Sequence, residues 1–590
     1  GIPFTWNSLS STQQLLMRIN PITNSRDAEA TGQNRVLYVR GQSSFENFRE
    51  RKSPLGDIIN STPTYVNQPS ELYTDLSYIT FRENLLNRRP ALYVGANDGM
   101  LHGFDAETGQ ELFAYIPSTL IKKLPLLSAT NYAHEYFVDG QLATRDVYIN
   151  GQWRTYLVGG LRAGGQTFFA LDITNPSNYQ ESNNNAKALV KWEFTDRDDP
   201  DLGYTFSTPV ITQMNNGKWV AIFGNGYNNT ENDDDDIDDE IRTISATGNA
   251  VLYIIDLATG ELLHKLDTQV GTFQGMANGL ASPAAIDANQ DGKVDWIYAG
   301  DLLGNLWKFD VTSENKEQWS IAGDGPLFQA KHNDQHQPIT VRPDVSLHPS
   351  LQGFILYFGT GRYFANNDND SKGQTTQSFY AIWDNIYSNR TTITQDSLLQ
   401  QNVLQEVSTV ITTDNGENIS YDFRITSEHP ISWYLGAAQA PPANVHLGWF
   451  IHLTTPDGTN RGERQVTYPK LRNGRIVFTT LIPTEVSCEA GGEGWLMELD
   501  AFSGARLESP AIDINEDGKF NINDTLTIDE ISTVISGYKL QGVPSSPAFL
   551  NDIDNNSEIK AINLSSGVTE TFQESADPFL PGRQSWREIR

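Results

Sequence analysis

"ALYVGANDGMLHGFDAETGQELFAYI", residues 91–116, decides the fold. Three short runs rich in β-branched and aromatic residues stand in it. A glycine-bearing turn at Asn97, Asp98 and Gly99 separates the first two, and a D-x-x-T-G turn from Asp105 to Gly109 separates the last two. Runs of this length bounded by Gly, Asn and Asp read as antiparallel strands joined by tight turns. The unit recurs along the chain. "TYLVGGLRAGGQTFFALDITNP" (155–176) repeats the first two strands, and "AVLYIIDLATGELLHKLD" (250–267) repeats the last two. "DWIYAGDLLGNLWKFDVTS" (295–313), "FILYFGTGRYF" with "QSFYAIWD" (354–384) and "RIVFTT" with "GWLMELDAFSGARL" (475–507) follow.

A Ser/Thr-Pro pair leads into a strand ahead of several of these units: "STPTYV" at 61–66, "STPVIT" at 207–212, "SPAAID" at 282–287 and "SSPAFL" at 545–550. A four-stranded unit repeated every 40 or so residues is the signature of a β-propeller. The chain is therefore expected to be all-β, an irregular seven-bladed propeller with long loop insertions. Six units are clear. The seventh is expected to form from the segment after 545 together with the segment near 61, because closure by both ends removes exposed sheet edges. Residues 1–60 read as a cap packed on the propeller, with a helical pattern in "STQQLLMRI" (11–19) and a strand in "VLYVRGQ" (36–42). Residues 61–590 read as the propeller itself, with an elaborated insertion around 386–445 that carries no clean repeat.

Composition narrows the function. Hydrophobic residues make up 38% and aromatics 11%, which suits a folded β-protein. The formal charge is −31, from 73 acids against 42 bases. Nucleic-acid binding requires clustered bases, so no nucleic-acid partner is expected. Divalent cations are the natural counter-ions. No long apolar run is present, so no membrane span is expected. The chain opens "GIPFTWNSLSS", with neither initiator Met nor signal peptide, and reads as a fragment or processed form whose targeting segment has been removed. The single cysteine, Cys488, has no partner for a disulfide within the chain and reads as an inert thiol.

One loop raises a chemical question. In "AAIDANQDGKVDWIYAGD" (284–301), Asp287, Asn289 and Asp291 alternate, Gly292 follows, and Asp295 comes four residues after Asp291. Calcium takes six to eight oxygens from carboxylates, amides and backbone carbonyls. Positions 1, 3 and 5 of such a loop supply side chains, a glycine at position 6 makes the bend, and position 7 turns its carbonyl inward. Asp287, Asn289, Asp291, Gly292 and Lys293 fill those positions, and Asp295 at position 9 is the available closing carboxylate. Without a cation, three carboxylates this close repel one another or one takes up a proton. A second loop, "DINEDGKFNIND" (513–524), places Asp513, Asn515, Asp517, Gly518 and Lys519 at the same positions and ends in Asp524 at position 12. Both loops are read as Ca²⁺ sites. The acidic run at 233–240 lacks the alternation and the glycine and reads as a solvated loop.

No catalytic constellation emerges. Nine histidines are scattered without H-E-x-x-H or paired zinc spacing, and no G-x-S-x-G elbow occurs. The blade sequence "YVGANDGMLHGFDAETG" resembles blades of quinone-dependent alcohol dehydrogenases. A periplasmic, pyrroloquinoline-quinone-dependent dehydrogenase is accordingly the alternative reading. Those enzymes carry a vicinal cysteine pair under the cofactor, which a single cysteine denies this chain. A carbohydrate-binding propeller is a third reading, from 12 Trp and 23 Tyr able to stack on sugars, but most propeller aromatics pack between blades.

Propeller, calcium loop and acidic charge together resemble the C-terminal domain of the type IV pilus tip-associated adhesins and biogenesis factors, the PilC/PilY family. The resemblance rests on "FRERKSPLGDIINSTPTYV" (48–66), "DPDLGYTFSTPVI" (199–211), "SPAAIDANQDGKVDWIYAGDLLGNLWKFD" (282–310), "YFGTGRYF" (357–364), "EAGGEGWLMELDAFSG" (489–504) and "LPGRQSWREIR" (580–590). It implies a modified propeller with one calcium site at Asp287, Asn289, Asp291, Lys293 and Asp295. It further implies a non-enzymatic role in pilus assembly and extension, twitching motility and adhesion. Minor pilins at the pilus tip, and host or abiotic surfaces, are the partners it implies. The location it implies is an exported one, at the pilus tip, cell surface, outer membrane or periplasm of a Gram-negative bacterium. The family's variable N-terminal region and an R-G-D motif are absent from this sequence.

Overall fold

The computed structural model describes all residues except 232–243, 366–367, 371–373, 386–391, 435–443, 485–490, 553–556 and 576–590. The acidic run at 233–240 and Cys488 lie outside the described residues. Strands take 38% of the chain and helices 11%, as the repeat predicts. The chain divides into two compact units. The first comprises residues 1–296 with 310–320, and the second 297–309 with 321–588.

The first unit holds successive antiparallel sheets. Strands β1 (Thr64–Val66), β2 (Ala91–Gly95), β3 (Leu101–Asp105) and β4 (Glu111–Tyr115) form one in sequence order. Strands β5 (Leu142–Ile149), β6 (Gln152–Gly160), β7 (Thr167–Asp172) and β8 (Val190–Thr195) form the next. Strands β9 (Val210–Met214), β10 (Trp219–Gly224), β11 (Val251–Asp256) and β12 (Leu262–Asp267) form the third.

The middle sheet shows why these strands read as apolar throughout. Side chains alternate between faces along a strand. Tyr156, Val158, Phe168 and Ala170 join Ile211, Ala221, Phe223 and Tyr253 of the third sheet in one core. Leu157, Phe169 and Leu171, one residue out of step, join Tyr93 and Leu101 of the first sheet in another. Phe168 stacks on Phe223 with ring centroids 3.8 Å apart. Both faces of the sheet are therefore buried, which is blade-on-blade stacking.

The recurring turn chemistry is also explained. In the D-x-x-T-G turn, the Asp105 carboxylate accepts from the N–H groups of Glu107 at 3.0 Å and Thr108 at 2.7 Å, and Gly109 takes φ +71°. Asp256 and Asp500 accept in the same way at their own turns. In the Ser/Thr-Pro motif the serine hydroxyl accepts from a backbone N–H of the following strand: Ser61 from Gly95 and Ser207 from Gly224, each at 2.9 Å. Ser545 accepts from Asn563 at 3.1 Å. The motif fastens the first strand of a unit to the second.

In the second unit, a five-stranded sheet runs in the order Asp344–Leu347, Phe354–Gly359, Ser378–Asp384, Gly448–His452 and Leu399–Gln401. A six-stranded sheet runs Val403–Thr412, Asn418–Thr426, Gly537–Leu540, Gly492–Asp500, Arg475–Pro483 and Lys470–Arg472. A three-stranded sheet follows from Ala548–Asp552, Ser557–Asn563 and Thr569–Ser575. The described part of 386–445 thus contributes strands to two of these sheets.

Two expectations are corrected. Among the described residues the segment near 61 and the segment after 545 do not share a sheet: Thr64–Val66 pairs with Ala91–Gly95, and Ala548–Asp552 pairs with Ser557–Asn563. Each Ser-Pro strand opens its own sheet. The outer edge of the last sheet is met from inside the chain, where Asp513 N–H donates to Gln573 C=O at 3.2 Å and Ser575 N–H donates to Ala511 C=O at 3.1 Å. Among the described residues the sheets hold from two to six strands each, and they do not confirm a count of seven blades. The second correction concerns "VLYVRGQ". Residues 36–39 end a helix, α2 (Glu29–Val39), not a strand. Gly32, Arg35, Val36 and Val39 are buried at helical spacing, and that tertiary face outweighs the β-branched composition. The helical pattern at 11–19 is borne out by α1 (Ser11–Met17), which Ser10 and Gln13 close with a reciprocal capping box. Met17, Val36 and Tyr38 share a core with Tyr93 and Leu101, so the N-terminal helices are packed on the first sheet.

Candidate functional site

The loop 287–295 follows β13 (Ala284–Ile286) and contains a two-residue strand, β14 (Lys293–Val294), which adds in parallel to β9. Its side chains are spent on its own backbone. Asp291 N–H donates to Asp287 Oδ1 at 3.1 Å and to Asn289 Oδ1 at 2.9 Å. Gly292 N–H donates to Asp287 Oδ2 at 2.8 Å, and Lys293 N–H donates to Asp291 Oδ1 at 2.9 Å. Gln290 takes φ +64° and Gly292 φ +87°, which turn the chain back over Asp287.

Asp295 closes the loop from beneath. It is 5% exposed, and its Oδ2 accepts from the N–H groups of Ala288 at 2.9 Å and Asn289 at 3.3 Å. Burial raises its pKa above the usual carboxylate range, and the Asp287 charge adds to the rise. The Asn215 carboxamide anchors the site: it donates to Val294 C=O at 2.8 Å, Val311 C=O at 3.2 Å and Asp295 Oδ1 at 3.4 Å. Sequence reading missed Asn215, because it sits in a β-hairpin turn far up the chain, where Asn is ordinary turn chemistry.

The loop 513–524 repeats the arrangement. Asp517 N–H donates to Asp513 Oδ1 and to Asn515 Oδ1, each at 3.2 Å. Gly518 N–H donates to Asp513 Oδ2 at 2.7 Å and Lys519 N–H to Asp517 Oδ1 at 2.8 Å. Asp524, fully buried, accepts from Ile514 N–H at 3.0 Å and Asn521 N–H at 2.9 Å. Its pKa is raised as well, by burial first and by Asp513 and Asp517 after it.

So the structure brings Asp287, Asn289, Asp291 and Asp295 into one hydrogen-bonded loop, and Asp513, Asn515, Asp517 and Asp524 into another. The Lys293 side chain makes a long ion pair with the loop, its Nζ 3.9 Å from Asp291 Oδ2. Among the described residues no three His, Cys, Asp or Glu side chains are gathered at metal-binding distances. The donor set is nevertheless the hard-oxygen set that calcium takes: carboxylates and a carboxamide, with backbone carbonyls available.

One histidine holds an unusual position. His102 Nδ1 lies 2.7 Å from Glu111 Oε1, and Nε2 lies 3.1 Å from both Asp98 oxygens. Burial alone would lower its pKa, but the two carboxylate partners overturn that and raise it to about 9.

A family model of the PilY1 β-propeller domain matches residues 55–415. The type IV pilus biogenesis factor PilY1 of Pseudomonas aeruginosa strain PAK is 34% identical over 619 residues, covering 99% of this chain and 50% of its own. A PilY1 homolog of Xylella fastidiosa strain Temecula1 is 35% identical over 606 residues, covering 94% of this chain and 38% of its own. The chain thus spans half or less of the length of these curated relatives. The crystal structure of the Pseudomonas aeruginosa PilY1 C-terminal domain superposes with a TM-score of 0.69 at 29% identity, covering 88% of this chain and all of that one.

Proposed function

Because the chain belongs to the PilY1 β-propeller family, we propose that it is a calcium-binding, non-enzymatic domain of a type IV pilus factor, one that supports pilus assembly and extension, twitching motility and adhesion. Minor pilins at the pilus tip, and host or abiotic surfaces, are its proposed partners. Its proposed place is the pilus tip or envelope surface of a Gram-negative bacterium. Among the described residues no helix is long and apolar enough to cross a membrane, and this reading needs none.

The observation that carries the calcium part is the duplicated loop, closed each time by a buried aspartate whose ionised form the protein disfavours. A divalent cation supplies the missing counter-charge. Asp287, Asn289, Asp291 and Asp295 would hold it by side-chain oxygens, with the Lys293 carbonyl at position 7. Asp513, Asn515, Asp517, Asp524 and the Lys519 carbonyl would do the same in the second loop. The cation would stiffen a surface turn, and a stiffened turn biases whatever surface it belongs to.

Calorimetric titration with calcium tests the site, and surface pilus counts test its role. Asp291→Ala should lose one calcium while the protein is still made and folded, and should alter surface piliation or twitching. Equal binding in mutant and wild type removes the site. Lost binding with normal pili and motility keeps the site and removes its role.

A further inference from the structure

The six-stranded sheet of the second unit ends in an unusually open edge. Among the described residues its terminal strand, Val403–Thr412, pairs on one side only, with Asn418–Thr426. The pairing fixes which backbone groups are free. Thr413 N–H donates to Glu417 C=O in the connecting turn, so 413 and 417 form a hydrogen-bonded pair. Partners alternate along an antiparallel ladder, which makes Ile411–Ile419, Thr409–Tyr421, Val407–Phe423 and Gln405–Ile425 the hydrogen-bonded pairs. The N–H and C=O groups of Glu406, Ser408, Val410 and Thr412 therefore face outward. Among the described residues none of these backbone groups has a partner.

Two other sheet-terminal strands carry the usual protection. Val190–Thr195 holds Lys191 and Leu262–Asp267 holds Lys265, and each meets its neighbour across a register shift. Val403–Thr412 has no Lys, Arg, Pro or Gly. Its one register shift falls between Val403 and Gln405, leaving the eight residues from Gln405 to Thr412 regular. Leu404 and Val410 are 54% and 59% exposed.

The charge of this hairpin is mostly acidic. Residues 403–426 contain Glu406, Asp414, Glu417 and Asp422 against a single base, Arg424. Arg424 is buried and bonded to Glu463 and Glu406. Arg461 meets Glu406 at 3.3 Å, and Lys539 stands 4.0 Å from Asp422, so the root of the hairpin is compensated. At the tip, Asp414 and Glu417 are exposed, and exposed Glu516 and half-buried Glu570 add to their charge around Tyr421.

We propose that the outer edge of Gln405–Thr412 is a docking strand for an extended, basic segment of another polypeptide, which adds to the sheet as a seventh strand. Backbone hydrogen bonds to Glu406, Ser408, Val410 and Thr412 hold the incoming strand. Its Lys or Arg side chains answer the acidic tip. A second copy of this chain, at −31, carries the wrong charge for the position. The docking strand goes beyond the pilus reading and holds whether or not the two loops take calcium.

The test uses the whole chain and a ten-residue peptide alternating Lys with Thr and Val, beside the same peptide with Glu for Lys. The Lys peptide should bind, and should slow hydrogen exchange at the amides of Ser408, Val410 and Thr412. The Glu peptide should bind at least ten-fold more weakly. Val410→Pro removes one outward N–H and leaves the ladder to 418–426 intact, so binding should fall at least ten-fold with the melting temperature unchanged. Should that variant fold poorly, Val410→Lys places positive charge on the edge without touching the backbone and should weaken the Lys peptide several-fold. Equal binding by the proline and lysine variants, equal binding of the two peptides, or no binding at millimolar peptide overturns the proposal. So does a wild-type dimer in sedimentation that Val410→Pro abolishes, since the occupant is then a second copy.

Discussion

The loops 287–295 and 513–524 share their first seven residues in conformation and differ in how they end. In both, position 1 accepts from the N–H groups of positions 5 and 6, and position 5 accepts from that of position 7. In both, position 4 has positive φ, +64° at Gln290 and +59° at Glu516. The closing carboxylate then comes at position 9 in one and position 12 in the other. The first chain passes at once into β14 and is tied to β9 and Asn215. The second makes a 3-10 turn, Ile522–Asp524, and is tied outward: Asp414 N–H donates to Asn515 C=O at 2.9 Å, and Asp513 N–H to Gln573 C=O. Local hydrogen bonding makes the turn. The element that follows decides where its last acid stands.

The comparison breaks most sharply under calcium. If both loops bind, each gains roughly 2.7 kcal/mol at calcium about 100 times Kd. Asp287→Ala and Asp513→Ala should each remove one such increment from the calcium-dependent melting shift. A double mutant that keeps the whole shift would dissociate both loops from calcium.

A third acidic turn, Asn97-Asp98-Gly99, sharpens the contrast, because it carries its own cation. His102 is protonated against Asp98 and Glu111 at neutral pH. Its folded pKa of about 9 exceeds the ordinary value of 6.5. The stabilisation is therefore fully present below pH 6.5 and is lost as pH rises through 9. Discounted for the half-exposed Glu111, it is worth on the order of 2 kcal/mol. His102→Gln should flatten the stability profile over that alkaline window, read by urea melts. An unchanged slope would show His102 neutral.

Smaller effects should fall equally on the two loops. Gly292 and Gly518 take φ +87° and +73° with open space where a Cβ would go, so alanine costs only backbone strain, about 1 kcal/mol each. Thermal melts of the two variants should agree, and a much larger loss in one would break the likeness. Lys293→Ala and Lys519→Ala should each stay within about 0.5 kcal/mol and leave calcium stoichiometry unchanged, since only the carbonyls of these residues are assigned a role.

Sequence carried the local half of this structure. The D-x-x-T-G turns, the Ser-Pro strand entries and both acidic loops are written within a few residues, and their hydrogen bonds close within those residues or onto the next strand. What stayed hidden depends on distant partners. Asn215 is a turn residue until β14 lies beside β9. "VLYVRGQ" has strand composition, and only the buried face of Arg35, Val36 and Val39 makes it helical. The hairpin 403–426 carries no repeat, because it extends a sheet whose other strands come much later in the chain. Propeller closure by the ends was read from a general need to hide edges. The last sheet meets that need at 511–513 instead.

The two cores fed by one sheet carry a consequence for how such a chain changes in length. Leu157 and Phe169 belong to one core while Tyr156, Val158 and Phe168 belong to the next. Inserting or deleting a single residue within β6 or β7 would send every later side chain of that strand to the opposite face. Both cores would receive misfitting shapes together. Growth and loss of residues are then confined to the connections, where added chain disturbs neither face.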